Sequence, residues 1–312
     1  MSCRLRRGYS LIELLVAMGL AGMVATIVLP AILIFQGHGL AEVSRLELHQ
    51  RAERLLRFLA DDLRETAFQV GPAPARPSGD PPVLCHDSWP GNPAETLQFS
   101  VLAEDGGNAA DDVLTVVKGE GFFPPLLLRQ AAAEGATLLL LDRSPNQSPG
   151  SSREIRPAPE AISHVALAGE RFCYPVASTG QELRLLDGLA VAAAAGSELF
   201  GVRVRRFSRE ATALGGRLRC DDFSSNEILD DAVDGLQFEY LLADGRVVDQ
   251  PPDPTMVRGI RASLLVRDLR PDRDYRDTQS YLLGNRRYGP YHDRFRRLVV
   301  SQMVEVKNHA LR

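Results

Sequence analysis

The chain has 312 residues, enough to bury a core in one large domain or two modest ones. Its 36 basic and 40 acidic residues leave a net charge of −4, so no global field draws it to nucleic acid or to an anionic surface. Four cysteines, Cys3, Cys85, Cys173 and Cys220, lie too far apart for the short paired spacings of zinc or iron–sulfur ligation.

The first element opens with Arg4, Arg6 and Arg7 and then runs apolar, with 22 uncharged residues from Leu14 to Phe35. That is about the length a helix needs to cross a hydrocarbon core of ~30 Å. Its twelve Leu, Ile, Val and Phe residues favour insertion by roughly 4–7 kcal/mol, against about 3 kcal/mol or less for Glu13 near the edge. The basic start leaves the amino terminus in the cytoplasm and exports the chain beyond Phe35. A cleaved secretory signal would have a shorter apolar core, whereas this one continues through Pro30 into a charged helix.

Helical spacing persists beyond it. Ala52, Leu55, Leu56, Leu59, Leu63, Phe68 and Val70 recur on one face. On the charged side, Glu47 with Arg51 and Glu53 with Arg57 stand four apart, acid first. The expectation is a helix over 9–70, transmembrane to 35 and amphipathic from 36, with Pro30, Gly37 and Gly39 as its weak points. The proline-rich stretch 71–82 reads as a linker.

From 83 to 312 the chain is β-rich, with strand-like runs at "DVLTVV", "ATLLLLD", "RFCYPVA", "LFGVRVRRF", "GLQFEYLL" and "GIRASLLVRD" among others. Asp244-Gly245 in "LLADGRVV" predicts a type I′ hairpin. With no βαβ alternation, the fold class expected is α+β: a long N-terminal helix packed on an antiparallel β domain. Of the three cysteines beyond the leader, Cys173 and Cys220 both sit in strand-like stretches and are the candidate disulfide.

At "GYSLIELLVAM" the chain resembles the type IV prepilins, whose basic leader ends in Gly and is followed by an aromatic residue and a Glu in the fifth mature position. The resemblance implies cleavage between Gly8 and Tyr9 by prepilin peptidase, which removes 1–8 and methylates the new amino group of Tyr9. Tyr9 replaces the more usual Phe. It also gives Glu13 a role: in a bundle of such helices the carboxylate needs a cation, and the amino terminus of a neighbouring Tyr9 supplies one, setting subunit register. Pro30 falls where the family often has a proline and would allow a local kink on extraction from the membrane.

Length and looser similarities at Asp230–Gly245, Val257–Asp268 and Tyr291–Asn308 resemble PilW-type minor pilins. These imply a low-abundance subunit of the bacterial inner membrane, its C-terminal domain periplasmic, that primes a pilus or joins its tip. The implied partners are prepilin peptidase, the other minor pilins, the major pilin, the inner-membrane assembly platform and a tip adhesin. A J-type pseudopilin of type II secretion shares the leader and helix but is usually shorter. A tip-displayed module binding a surface or DNA is the alternative from another class.

No enzyme is expected. The six histidines show no metal-ligand spacing, and neither a nucleophile elbow nor a phosphate loop is present. No cofactor or metal is expected either. Two acidic clusters, Asp272/Asp274/Asp277 and Glu227/Asp230/Asp231/Asp234, lack calcium-loop spacing. The first is interleaved with Arg267, Arg270, Arg273 and Arg276 and reads as self-neutralising surface pairing. "GNRRYGPYHDRFRR" offers arginines and tyrosines for contact with DNA or a partner, but its net positive charge is local, so a solvated loop is the default reading and nucleic acid is not the expected partner.

Overall fold

The computed structural model describes residues 11–71, 100–143, 164–168, 173–178, 182–213, 215–222 and 226–306, omitting the side chains of 13, 27, 29–41, 123 and 124. Helix α1 spans Leu11–Arg64. The chain divides into two units, Met1–Gln50 and Arg51–Arg312, so the second half of α1 belongs with the strands. Of the expected linker, only Gly71 is among the described residues.

Nine strands form one antiparallel sheet: β1 (Val101–Glu104), β2 (Val113–Leu128), β3 (Leu138–Arg143), β4 (His164–Leu167), β5 (Cys173–Ser178), β6 (Glu182–Leu185), β7 (Glu198–Thr212), β8 (Gly215–Asp221) and β9 (Asn226–Asp230). The long strands β2 and β7 pair from Leu114↔Phe207 to Leu127↔Glu198, and each changes its second neighbour along the way. At one end β2 takes β3 and β7 takes β4; β3, β6, β5 and β4 then complete a closed six-stranded ring. At the other end β1 joins β2 and β8 joins β7, leaving an open sheet β1-β2-β7-β8-β9.

The period-two alternation of strands explains both halves. Val165, Leu167, Tyr174, Leu183, Leu185 and Leu199 fill the ring together with Leu126, Leu128 and Leu139. Their neighbours Ala166 and Cys173 point the other way and meet Val70, Val117, Val202 and Val204.

A second antiparallel sheet has the order β11 (Val247–Val248), β10 (Val233–Leu242), β12 (Val257–Arg267), β15 (Arg297–Glu305), with a small hairpin of β13 (Tyr281–Leu283) and β14 (Arg286–Tyr288). β10 lies against β2, β7 and β8. The loop before β2 stitches the layers: the Asp112 carboxylate accepts from Phe238 N at 2.7 Å and Asp111 from Leu236 N at 3.2 Å. β4, β6, β9, β13, β14 and β15 go beyond the strands expected from sequence; all but β15 have five residues or fewer, too short for alternation to register.

Two expectations are corrected. The helix stops at Arg64 instead of 70, because Ala67 (φ 64°) and Gln69 (φ 59°) turn left-handed. That conformation is held by backbone bonds to β2, Ala67 N to Val117 O at 2.8 Å and Gly119 N to Phe68 O at 2.7 Å. A Cβ on Gly119 would sit 2.8 Å from Phe68 O, so only glycine permits this docking. Phe68 and Val70 keep helical spacing in the sequence yet act as anchors: Phe68 meets Phe200 edge-on at 6.0 Å, and Val70 is buried. The β10–β11 hairpin forms, but its turn is not type I′. Gly245 N bonds Leu242 O, Leu242 N bonds Arg246 O, and Gly245 alone of Asp244-Gly245 has positive φ. This is a type I turn closed by a glycine bulge, which needs one left-handed residue where type I′ needs two.

Candidate functional site

The first half of α1 is apolar on every side. Leu11, Ile12, Leu14, Leu15, Val16, Met18, Leu20, Met23, Val24 and Val28 are all exposed. Thr26, the hydroxyl among them, donates to Met23 O at 2.8 Å and so offers its donor to its own helix. A surface of this kind is at odds with water and calls for lipid or other helices around it. Among the described residues no helix is long and apolar enough to cross a membrane; the uncharged run Leu14–Phe35 extends into side chains outside that set. Glu13 and Pro30 lie within α1, their side chains outside the described residues, while Gly8 and Tyr9 fall outside them altogether.

The second half of α1 is seated on the open sheet. Ala52, Leu55, Leu56, Leu59, Ala60 and Leu63 are buried, the expected stripe. Charge also specifies the seat. Asp62 is 7% exposed on that stripe, and it meets Lys118 Nζ of β2 at 2.6 Å and Arg205 of β7 at 3.4 Å. Lys118 also reaches Glu65 at 2.7 Å, and the Arg205 guanidinium lies 5.6 Å from the Phe58 ring. Arg51 forks onto the Asp230 carboxylate of β9. Arg51 is therefore turned to the sheet rather than toward Glu47, while Glu53 and Arg57 stay on the solvated face and, among the described residues, form no ion pair. The signals were there to be read: one acid on an apolar stripe, and one lysine in "VLTVVKGEGFF".

The structure does not bring Cys173 and Cys220 together; both are free and buried. Cys173 faces Ala166 of β4, which pairs with Phe200, whereas Cys220 pairs with Phe207. Seven residues of β7 separate the two registers, about 23 Å at ~3.3 Å per residue, far beyond the ~7 Å Cα limit of a disulfide. Burial pushes the thiols up, Cys173 to about 12 and Cys220 to about 11, the latter despite Arg205 Nη1 at 3.5 Å from its sulfur.

Several acids of the two clusters pair over long range, Asp277 and Asp234 of them inward. Asp277 is fully buried, and its cation is Arg297 at 2.7 Å, not the interleaved arginines. Arg297, whose side chain is 2% exposed, also holds Asp234 at 2.8 Å and Asp293 at 2.6 Å, with its guanidinium carbon 3.6 Å from the Tyr291 ring centre. Its hydrogen bonds hold Asp293 below the usual carboxylate range. Asp272 pairs with Arg296 at 2.7 Å and Asp231 with Arg217 at 3.5 Å. No metal-binding group of three or more ligands occurs among the described residues. "GNRRYGPYHDRFRR" is thus a strap tied down on one side rather than a wholly solvated loop: Tyr288 donates to Asp111 at 2.6 Å and Arg286 reaches the same acid at 3.3 Å, while Arg287 and Arg294 stay exposed.

Residues 3–29 match the family model of the prokaryotic N-terminal methylation motif, and residues 221–308 match that of the type IV pilus-assembly protein W. The first match covers the residues just before α1 and its exposed apolar part; the second covers β9 to β15 and the Arg297 strap. No curated protein and no solved structure matches the chain.

Proposed function

We propose, from the premise that the chain is a PilW-type, prepilin-like protein associated with the type IV pilus, that it is a minor pilin that helps to prime pilus assembly or sits at the fibre tip. The carrying observation is the run of exposed apolar side chains, Leu11 to Val28, that lies within the match to the methylation motif. Such a helix spans the inner membrane first and then enters the helical core of a filament. Prepilin peptidase cuts between Gly8 and Tyr9 and methylates Tyr9; Glu13 then meets the terminal ammonium of an adjacent subunit. Pro30 loosens α1 as the helix leaves the bilayer. The second half of α1, locked to the sheet through Asp62 and Arg51, transmits that movement to the β unit, which faces the periplasm and meets the neighbouring pilins.

Two measurements test this. The mass of the amino-terminal peptide from assembled fibres is expected to show a methylated Tyr9; a chain still beginning at Met1 would refute processing. Glu13→Ala leaves the partner ammonium unpaired in an apolar bundle, a penalty of roughly 3–5 kcal/mol. Incorporation into fibres should fall by well over tenfold, and incorporation equal to the parent's would sink the registration role.

A further inference from the structure

The strap between β12 and β15, residues 268–296, sorts its charges in a way that its sequence conceals. Its two legs run antiparallel: Asp268 N bonds Arg296 O, Asp272 N bonds Arg294 O, and Asp277 N bonds Asp293 O, each at 2.8 Å. Asp272, Asp277 and Asp293 are consumed by Arg296 and Arg297. Arg270, Arg273, Arg276, Arg287 and Arg294 are left exposed, and among the described residues none of these five guanidinium groups has an ion-pair partner. The backbone pairing sets Arg294 beside the leg that carries Arg270 and Arg273. With seven arginines against five aspartates the segment is already positive, and pairing its acids with Arg296 and Arg297 leaves exposed arginines opposed there by Asp274 and Asp268, on a chain whose net charge is −4.

We propose that this arginine face binds the phosphodiester backbone of duplex DNA. The exposed cations are all arginine, whose planar fork bonds two phosphate oxygens at once where lysine offers a point charge. Arg270, Arg273 and Arg276 recur at three-residue intervals, at most about 10 Å each along the chain, which suits a polymer of repeated charges better than a single acidic group. The strap is anchored underneath by Arg297, with its three carboxylates, and by Arg296 stacked 4.4 Å from the Tyr275 ring centre, so binding orders little that is not already ordered. Recognition is of the backbone, without base readout. The near-neutral total excludes a global field, but within a Debye length of about 10 Å a local cluster governs. The binding does not depend on fibre assembly, so it can fail while the minor-pilin reading stands.

The test uses the full chain in neutral detergent micelles with a short fluorescein-labelled DNA duplex, read by anisotropy over a range of salt. Binding is expected at low salt, with the slope of log affinity against log salt falling by about one for each arginine removed. Arg270→Ala, Arg273→Ala and Arg294→Ala together should lower that slope by about three, and the same three positions as lysine should restore most of it. Arg54→Ala with Arg57→Ala, on exposed cations of α1, should leave it unchanged. Since the guanidinium groups of these three arginines have no ion-pair partner among the described residues, the melting temperature should not move. A triple variant with the parent's affinity and slope would overturn the proposal, as would a parent that fails to bind. So would displacement of the duplex by dextran sulfate at equal or lower charge concentration, which would assign the face to polysaccharide.

Discussion

Lys118 is the residue on which the helix seat turns. Its ammonium is buried against Asp62 and also reaches the exposed Glu65, and a buried pair such as Lys118 with Asp62 adds little net stability while a lone buried charge is costly. Lys118→Met should leave Asp62 with Arg205 at 3.4 Å as its remaining cation and lower stability by about 3 kcal/mol. The double change Lys118→Met with Asp62→Leu should recover much of that loss, and a urea-unfolding cycle would measure the coupling. Asp112 makes a separate prediction about pH. Burial lifts its pKa from 3.8 to about 6, in spite of two backbone N–H donors. An acid whose folded pKa is raised binds its proton more tightly when folded. Its stabilisation is therefore complete below pH 3.8 and is lost as pH rises through about 6. Asp112→Asn, which keeps one acceptor, should flatten the dependence of the unfolding midpoint between those values. The cysteines give a third: with thiols buried and raised to about 12 and 11, Cys173 and Cys220 should resist alkylation in the folded chain and both label as free thiols once it is unfolded. A mass showing them joined would overturn the register.

Among the elements, the strap depends on Arg297 as the helix seat depends on Lys118. Arg297→Met would leave Asp277 and Asp234 buried, the latter with Arg267 at 3.6 Å, and at roughly 3–5 kcal/mol for a broken buried pair the strap should detach. Hydrogen exchange should then rise across 268–296 while the strands of the six-stranded ring keep their protection. These elements also show what could be read in the sequence. The apolar stripe at Leu55, Leu59 and Leu63 and the long strands β2, β7, β10 and β12 announced themselves, because each has enough turns or alternations to express a period. The strap did not. Its acids sit among arginines four or fewer residues away, so local pairing looked sufficient, yet Asp277 chose a cation 20 positions on. Burial, which decides between partners, is a tertiary property. The ring closed by β2 and β7 was hidden for the same reason, since no local pattern says that a strand exchanges neighbours halfway along.

For the molecule as a whole, the boundary of the β unit falls inside a helix, and that position can be tested by truncation. The unit beginning at Arg51 keeps Leu55, Leu56, Leu59 and Leu63 over the sheet, with Asp62 against Lys118 and Arg51 against Asp230. A fragment of residues 51–312 should thus unfold cooperatively with a urea midpoint near that of the full chain. A fragment beginning at Thr66 loses four buried leucines, worth about 1.5–3 kcal/mol each, or roughly 6–12 kcal/mol together. It also strands Lys118 and Arg205 without Asp62. Since a domain's whole stability is about 5–15 kcal/mol, that loss is enough to unfold it. Circular dichroism of the two fragments decides the matter: a native-like melt from both would show that the helix is an independent stalk, whereas folding of the longer one alone would show that the last fourteen residues of α1, Arg51–Arg64, are part of the β unit's own core.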